Sequence, residues 1–232
     1  MFHARSPLRS AARSGAALLL SISLAGLAGE AARAGSAEAP APAPPGLEAL
    51  LAGFRELPGV SARFREERRI ALLREPLVSS GRVYFAPPDR LARHVEAPLR
   101  STALLEGGEL LYGGDGESHR VDLATNPAVR AFVDAFRMLL AGDLAGLQAL
   151  YEVGLAEDGE APREWTVALR PRSAPLRGAI ASIELQGRDR TLLELRIRET
   201  NGDETRMDFS EVRTDHRFTD AELAELFRLP GS

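Results

Sequence analysis

Between Ser61 and Pro98 polar and apolar residues alternate in three consecutive runs. Each run is closed by a turn signal, and the third opens with Pro87-Pro88-Asp89. This predicts an antiparallel meander. Upstream, Leu47, Leu50, Leu51 and Phe54 have the spacing of an amphipathic helix that Pro58-Gly59 stops. Strands are expected at Val60–Leu72, Val78–Ala86, Leu91–Glu96, Ser101–Glu106, Glu109–Tyr112 and Ser118–Leu123, with Gly107-Gly108 and the 113–116 glycine cluster supplying hairpin turns.

Asn126-Pro127 reads as a cap followed by proline in the first helical turn. Val129, Phe132, Val133, Phe136 and Leu140 then form one apolar face. A shorter helix is expected to carry Leu144, Leu147, Leu150 and Tyr151. Strand alternation resumes at Trp165-x-Val167-x-Leu169, Ile183-x-Leu185 and Leu193-x-Leu195-x-Ile197, and Asn201-Gly202 marks a hairpin before Met207–Phe209. Thr219 caps a last helix, Asp220–Phe227. The pattern therefore predicts a mainly β (α+β) domain of roughly ten or eleven short strands with helices on their apolar face. A sheet this wide must curl to hide that face.

The termini change the picture of where the chain works. Arg5, Arg9 and Arg13 precede an apolar run from Gly15 to Gly29, and Ala32-Arg33-Ala34 has the small-x-small form of a cleavage site, so residues 1–34 read as a secretory signal peptide. The Pro/Ala-rich residues 35–46 read as an extended tether, leaving 47–232 as one domain. The chain has no cysteine, which excludes a lipid-anchoring cysteine and disulfides, so a soluble, periplasmic, monomeric protein is expected. Loss of 1–34 removes four arginines and one glutamate and takes the formal charge from −4 to −7, which argues against nucleic acid.

Candidate chemistry is sparse. There is no Gly-x-Ser-x-Gly, His-Glu-x-x-His, Gly-x-Gly-x-x-Gly or Walker A sequence, and His94, His119 and His216 sit in separate segments without metal-binding spacing. Glu66-Glu67 and Asp203-Glu204 read as solvated acids in strand and turn positions. The expectation is a binding protein, not an enzyme, with no cofactor and no metal.

The order of several weak motifs carries a resemblance. An Arg/Phe/Glu-rich first strand is followed by Pro76-Leu77…Gly81-x-x-x-Phe85, then Pro87-Pro88-Asp89-Arg90-Leu91 and Pro98. Farther on come Arg172-Ser173-Ala174-Pro175-Leu176, a hairpin at Gly187-Arg188-Asp189, and the ending Leu226-Phe227-Arg228-Leu229-Pro230-Gly231. From Leu47 to Gly231 the chain resembles the periplasmic outer-membrane lipoprotein carriers (LolA-like), as a divergent member.

The resemblance implies an unclosed antiparallel β-barrel whose concave face, covered by helices, shelters acyl chains in transit from inner to outer membrane. Its partners would be an acylated lipoprotein or lipid, an inner-membrane export machinery and an outer-membrane acceptor. The alternatives are a non-lipoprotein acyl lipid or lipid-linked product as cargo, or a periplasmic sensor domain of the same fold. Each methylene withheld from water contributes roughly 0.8 kcal/mol, so a sixteen-carbon chain represents on the order of 12 kcal/mol and needs an enclosed apolar wall. That wall is expected from Val83, Phe85, Leu91, Leu104, Leu110, Val167, Leu169, Ile183, Leu185, Leu193, Leu195 and Ile197, closed over by Phe132, Phe136 and Leu140.

Two departures from the family pattern stand out. Pro87 occupies the position of the arginine that latches the family's lid, and Arg93 stands where an aromatic residue is common. An arginine on an apolar face must find a partner. Arg90 and Arg93 are accordingly the candidate head-group or lid contacts.

Overall fold

The computed structural model describes residues 46–114, 117–121, 134, 137–157 and 164–229. Eleven antiparallel strands form one sheet: β1 (Val60–Arg69), β2 (Leu77–Ala86), β3 (Arg90–Ala97), β4 (Ser101–Glu106), β5 (Glu109–Gly114), β6 (Glu117–Val121), β7 (Tyr151–Glu157), β8 (Glu164–Pro171), β9 (Ile180–Arg188), β10 (Thr191–Glu199) and β11 (Glu204–Arg213). Their spatial order is β6-β5-β4-β3-β2-β1-β11-β10-β9-β8-β7. Every connection but one is between neighbours, and one further pairing joins the two halves of the sheet. The chain leaves edge strand β6 and returns at the opposite edge as β7, and β11 closes onto β1 in the middle. The sheet does not close, because β6 and β7 remain its two ends.

Helix α1 (Leu47–Arg55) follows Gly46, whose positive φ of 89° favours glycine. Its stripe Leu47, Leu51 and Phe54 is buried against the concave face, with Glu48 in the first turn and Arg55 in the last, both matched to the helix dipole. Residues 137–140 are helical and bring Leu139 and Leu140 to the same face. α2 (Leu144–Leu150) is capped by Asp143, whose side chain accepts from the Gly146 amide. α3 (Ala174–Ala179) adds Leu176. These helices and the inward residues of β2 and β8–β10 make one hydrophobic core.

The last helix, α4 (Asp220–Leu226), lies on the other face. Thr219 and Glu222 form a reciprocal capping box. Leu229 and Phe227 just after it pack on Ala92, Leu104, Tyr84 and Leu111, so the convex side of β2–β5 carries a second, smaller core.

Several boundaries differ from the sequence reading. Tyr151 is not the end of a helix but the start of β7, an unanticipated strand, and it is fully buried in the main core. α3 was also not expected; Pro175 in its first turn fixes the dihedral a helix needs. β1 ends at Arg69, short of Leu72, while β11 is longer than Met207–Phe209 at both ends. In the expected helix before Leu140, Phe132 and Phe136 lie outside the described residues.

Candidate functional site

Strand register defines the concave face. Phe85 pairs with Val60 and Leu91, Leu91 with Leu105, and Leu105 with Leu110, which aligns these residues across β1–β5. On the other half, Ile197 pairs with Ile183 and Ile183 with Leu169, while Leu195 pairs with Leu185 and Leu185 with Val167. The structure therefore gathers Val83, Phe85, Leu91, Leu110, Val167, Leu169, Ile183, Leu185, Leu195 and Ile197 on one face, with Leu140 over it. Leu105, Val153, Leu155, Leu192, Met207 and Phe209 join them, although the sequence reading did not select them.

Three expected residues lie elsewhere, each for a local reason. Leu193 is the extra residue of a bulge between Leu192 and Glu194, so Leu192 turns inward in its place and Leu193 is exposed on the convex side. Leu104 is buried, but under the C-terminal segment on the convex face, because Ala92 opposite it points that way. Arg90 shares that face: it pairs with Glu106, and its guanidinium lies 6.0 Å from the Phe227 ring centroid.

Between α1 and the strands lies a cavity of about 30 Å³, lined among others by Phe54, Leu140, Val60, Val83, Phe85 and Leu91. Ligand pockets commonly measure about 300–1,000 Å³, so this space is the seam of a closed structure. Arg55 of α1 donates from Nη2 to the Gly142 carbonyl at 2.6 Å, tying α1 to the turn after Leu140. The two parts of the cover are thus linked to each other as well as to the sheet.

The concave face is not apolar throughout. Beyond Phe64, the inward positions of β1 are Glu66 and Arg68, both buried, which corrects the reading of Glu66 as a solvated acid. Arg93 Nη2 donates to Glu66 Oε2 at 3.0 Å and to Ser79 Oγ at 3.4 Å, and its guanidinium sits 4.5 Å from the Phe64 ring centroid. Arg93 Nε is buried and has no hydrogen-bond partner among the described residues. Burial pulls the Arg93 pKa down and Glu66 opposes the shift.

A second pairing lies one inward position along. Arg68 Nη2 donates to Glu199 Oε1 at 3.2 Å and to Asp203 Oδ2 at 3.4 Å, and Asp203 Oδ1 accepts from the Ala71 amide at 3.0 Å. Burial pushes the Glu199 carboxyl up, and Arg68 opposes it. Asp203, like Glu66, is a buried partner and not the solvated turn residue its neighbours had implied. Alternation from Phe64 through Glu66 to Arg68 was the available signal.

Among the described residues no cluster of His, Asp or Glu is placed to hold a metal, and no helix is long and apolar enough to cross a membrane.

Comparison with known proteins bears on the fold and family. No curated protein matches the sequence. Solved structures similar to it include a DUF1329 family protein from Desulfovibrio piger, with 13% identity and a TM-score of 0.46, covering 78% of this chain and 96% of that one. A putative outer membrane lipoprotein-sorting protein domain from Vibrio parahaemolyticus has 9% identity and a TM-score of 0.45, with coverage of 78% and 97%. The Pseudomonas aeruginosa MucA/MucB complex has 16% identity and a TM-score of 0.47, with coverage of 76% and 58%. The family described as outer membrane lipoprotein carrier protein LolA-like matches residues 39–225. That match spans most of the sequence, and the chain belongs to the LolA-like family.

Proposed function

We propose that the protein is a periplasmic carrier that shelters acyl chains of a lipoprotein or lipid between the concave face and its helices, moving them from inner to outer membrane. The observation that carries this reading is the enclosed apolar seam between α1, Leu140 and β1–β3, whose cover consists of short helices. A cover of this kind can swing away without breaking any strand ladder. Cargo enters as α1 and the 137–140 helix lift together, joined by Arg55 and Gly142, and the widened seam takes the acyl chain.

In this scheme an inner-membrane export machinery loads the carrier and an outer-membrane acceptor unloads it. The basic and apolar start of the chain supports a periplasmic location. Arg93 is assigned to the polar end of the concavity, where its free Nε meets an anionic or carbonyl head group while Glu66 keeps the guanidinium neutralised in the empty state. Arg90, on the convex face, has no part in this.

The test is uptake of a fluorescent fatty-acyl probe and its displacement by lipid. Leu91, half-buried at the cavity wall, is the site for a blocking charge. Leu91→Glu is expected to abolish uptake while the protein stays folded, because a carboxylate facing the chain is not solvated there. Absence of uptake by the wild type, under conditions where another LolA-like carrier takes up the probe, sinks the reading.

A further inference from the structure

We propose that the end of the sheet formed by the β1–β2 hairpin and the β3–β4 turn is a docking tip that inserts aliphatic side chains into an anionic bilayer surface. Six large apolar side chains are exposed among the described residues, and five of them gather here: Leu72, Leu73 and Leu99 on the two connections, and Leu77 and Val78 at the start of β2. Leu72 is 93% and Leu99 65% exposed. Isolated exposed leucines need no explanation, but their collection at one end does.

Register shows that the two connections adjoin. Arg68 pairs with Leu77 beside the β1–β2 hairpin and Ser80 with Ala97 at the last residue of β3, so both connections lie at the same end of the sheet. Leu72 and Leu73 lie in the connection that follows β1.

The chemistry of this end favours lipid over a protein partner. Its apolar residues are all aliphatic and stand on two turns and the first residues of β2, so they form the tip of the sheet and not the aromatic-rich surface that protein interfaces use. Each aliphatic turn is followed at once by an arginine, in Leu72-Leu73-Arg74 and Pro98-Leu99-Arg100. Both arginines are exposed, and neither has an ion-pair partner among the described residues. Most other exposed arginines of the sheet are paired, as Arg63 is with Glu211 and Arg82 with Glu96. An arginine beside inserted leucines lays its stem along the acyl region and bonds lipid phosphate with its head. Glu75 is the single acid between Ile70 and Val78. With a formal net charge of −4 the whole chain is not drawn to an anionic surface, so the local pairing of leucine and arginine must supply the attraction.

The proposal goes beyond the carrier reading and does not depend on it, since it is tested without cargo. The protein, purified as the producing cell processes it, is floated with mixed phosphatidylethanolamine/phosphatidylglycerol vesicles and, separately, with phosphatidylcholine vesicles. Wild type is expected to float with the mixed vesicles. The double variant Leu72→Asp/Leu73→Asp should lower partitioning by at least about tenfold. Arg74→Gln/Arg100→Gln should lose about tenfold on the mixed vesicles and nothing on phosphatidylcholine. All four side chains are exposed, so unfolding midpoints should match wild type. As a second readout, Leu72→Trp fluorescence should be quenched by brominated lipid. Failure of the wild type to float overturns the proposal and assigns the tip to a protein partner. Equal flotation of the aspartate variant, or an unquenched Leu72→Trp, also overturns it.

Discussion

Arg93 and Glu66 meet on the concave face of the sheet, from strands that are not neighbours, with Nη2 and Oε2 3.0 Å apart and β2 between them. Both side chains are largely withdrawn from water, at 13% and 11% exposure. A pair so placed gains little over two apolar residues, but each partner alone is costly. Arg93→Leu is therefore expected to destabilise the fold by about 3–5 kcal/mol, and adding Glu66→Gln should recover much of that loss. Urea unfolding of the two single variants and the double variant measures the coupling. Additive effects would mean that the pair is not energetically joined. Glu66→Gln alone should favour uptake of an anionic acyl probe over a neutral one, since it frees the Arg93 charge.

Arg55→Ala removes the bond from α1 to the Gly142 carbonyl. Hydrogen bonds from a charged donor contribute roughly 1.5–3 kcal/mol, so a loss toward the lower end is expected at this partly buried site. Because the link joins the two parts of the cover, acyl-probe uptake should become faster as stability falls. Stopped-flow fluorescence checks the rate, and an unchanged rate would separate the cover from the path of the cargo.

His94 makes the convex side sensitive to acid. Its Nε2 lies 2.8 Å from the Leu226 carbonyl and its Nδ1 3.1 Å from Thr102 Oγ1, an arrangement suited to a neutral ring donating to one and accepting from the other. Burial lowers its pKa from the ordinary 6.5, and the Leu226 carbonyl opposes the shift. The folded state therefore favours the neutral form. Its contribution is present in full above pH 6.5 and is lost as the pH falls through the lower folded value. Thermal unfolding should show this decline in the wild type and a flatter profile for His94→Gln.

Gly187 has no side chain because the Trp165 ring occupies the place of its Cβ, with the indole Nε1 donating to the Asp189 carbonyl at 2.9 Å. Gly187→Ala must displace both the ring and the Thr191 carbonyl, at a cost of about 1–3 kcal/mol or more. Trp165 is the sole tryptophan, so its emission reports the displacement directly as a shift to the red.

Much of this architecture is legible in the residues. Period-two alternation located ten of the eleven strands, and the i, i+3, i+4, i+7 stripe of α1 identified the face it covers. β7 was hidden because Tyr151 continues the spacing of Leu144, Leu147 and Leu150, and Val153 and Leu155 alone make a short alternation. Which side chains face the concave side is legible where the strands are regular and not where they are irregular or covered by a distant segment. At Leu193 one inserted residue inverted the facing that simple counting gives, and at Leu104 burial came from the segment after the last helix, more than a hundred residues away in the chain. The partner of Arg93 was missed for a different reason. Glu66 was judged by its charge, when its parity with Ala62 and Phe64 already placed it inside.

In a closed barrel, strand number and stagger fix the bore once and for all. Here β6 and β7 never meet, so no ring of hydrogen bonds sets the span between them. Small changes of twist, shared over ten strand pairs, widen or narrow the trough without any ladder giving way. One backbone can then grip cargoes of different girth, and the limit on what it carries is set by how far its rims can spread.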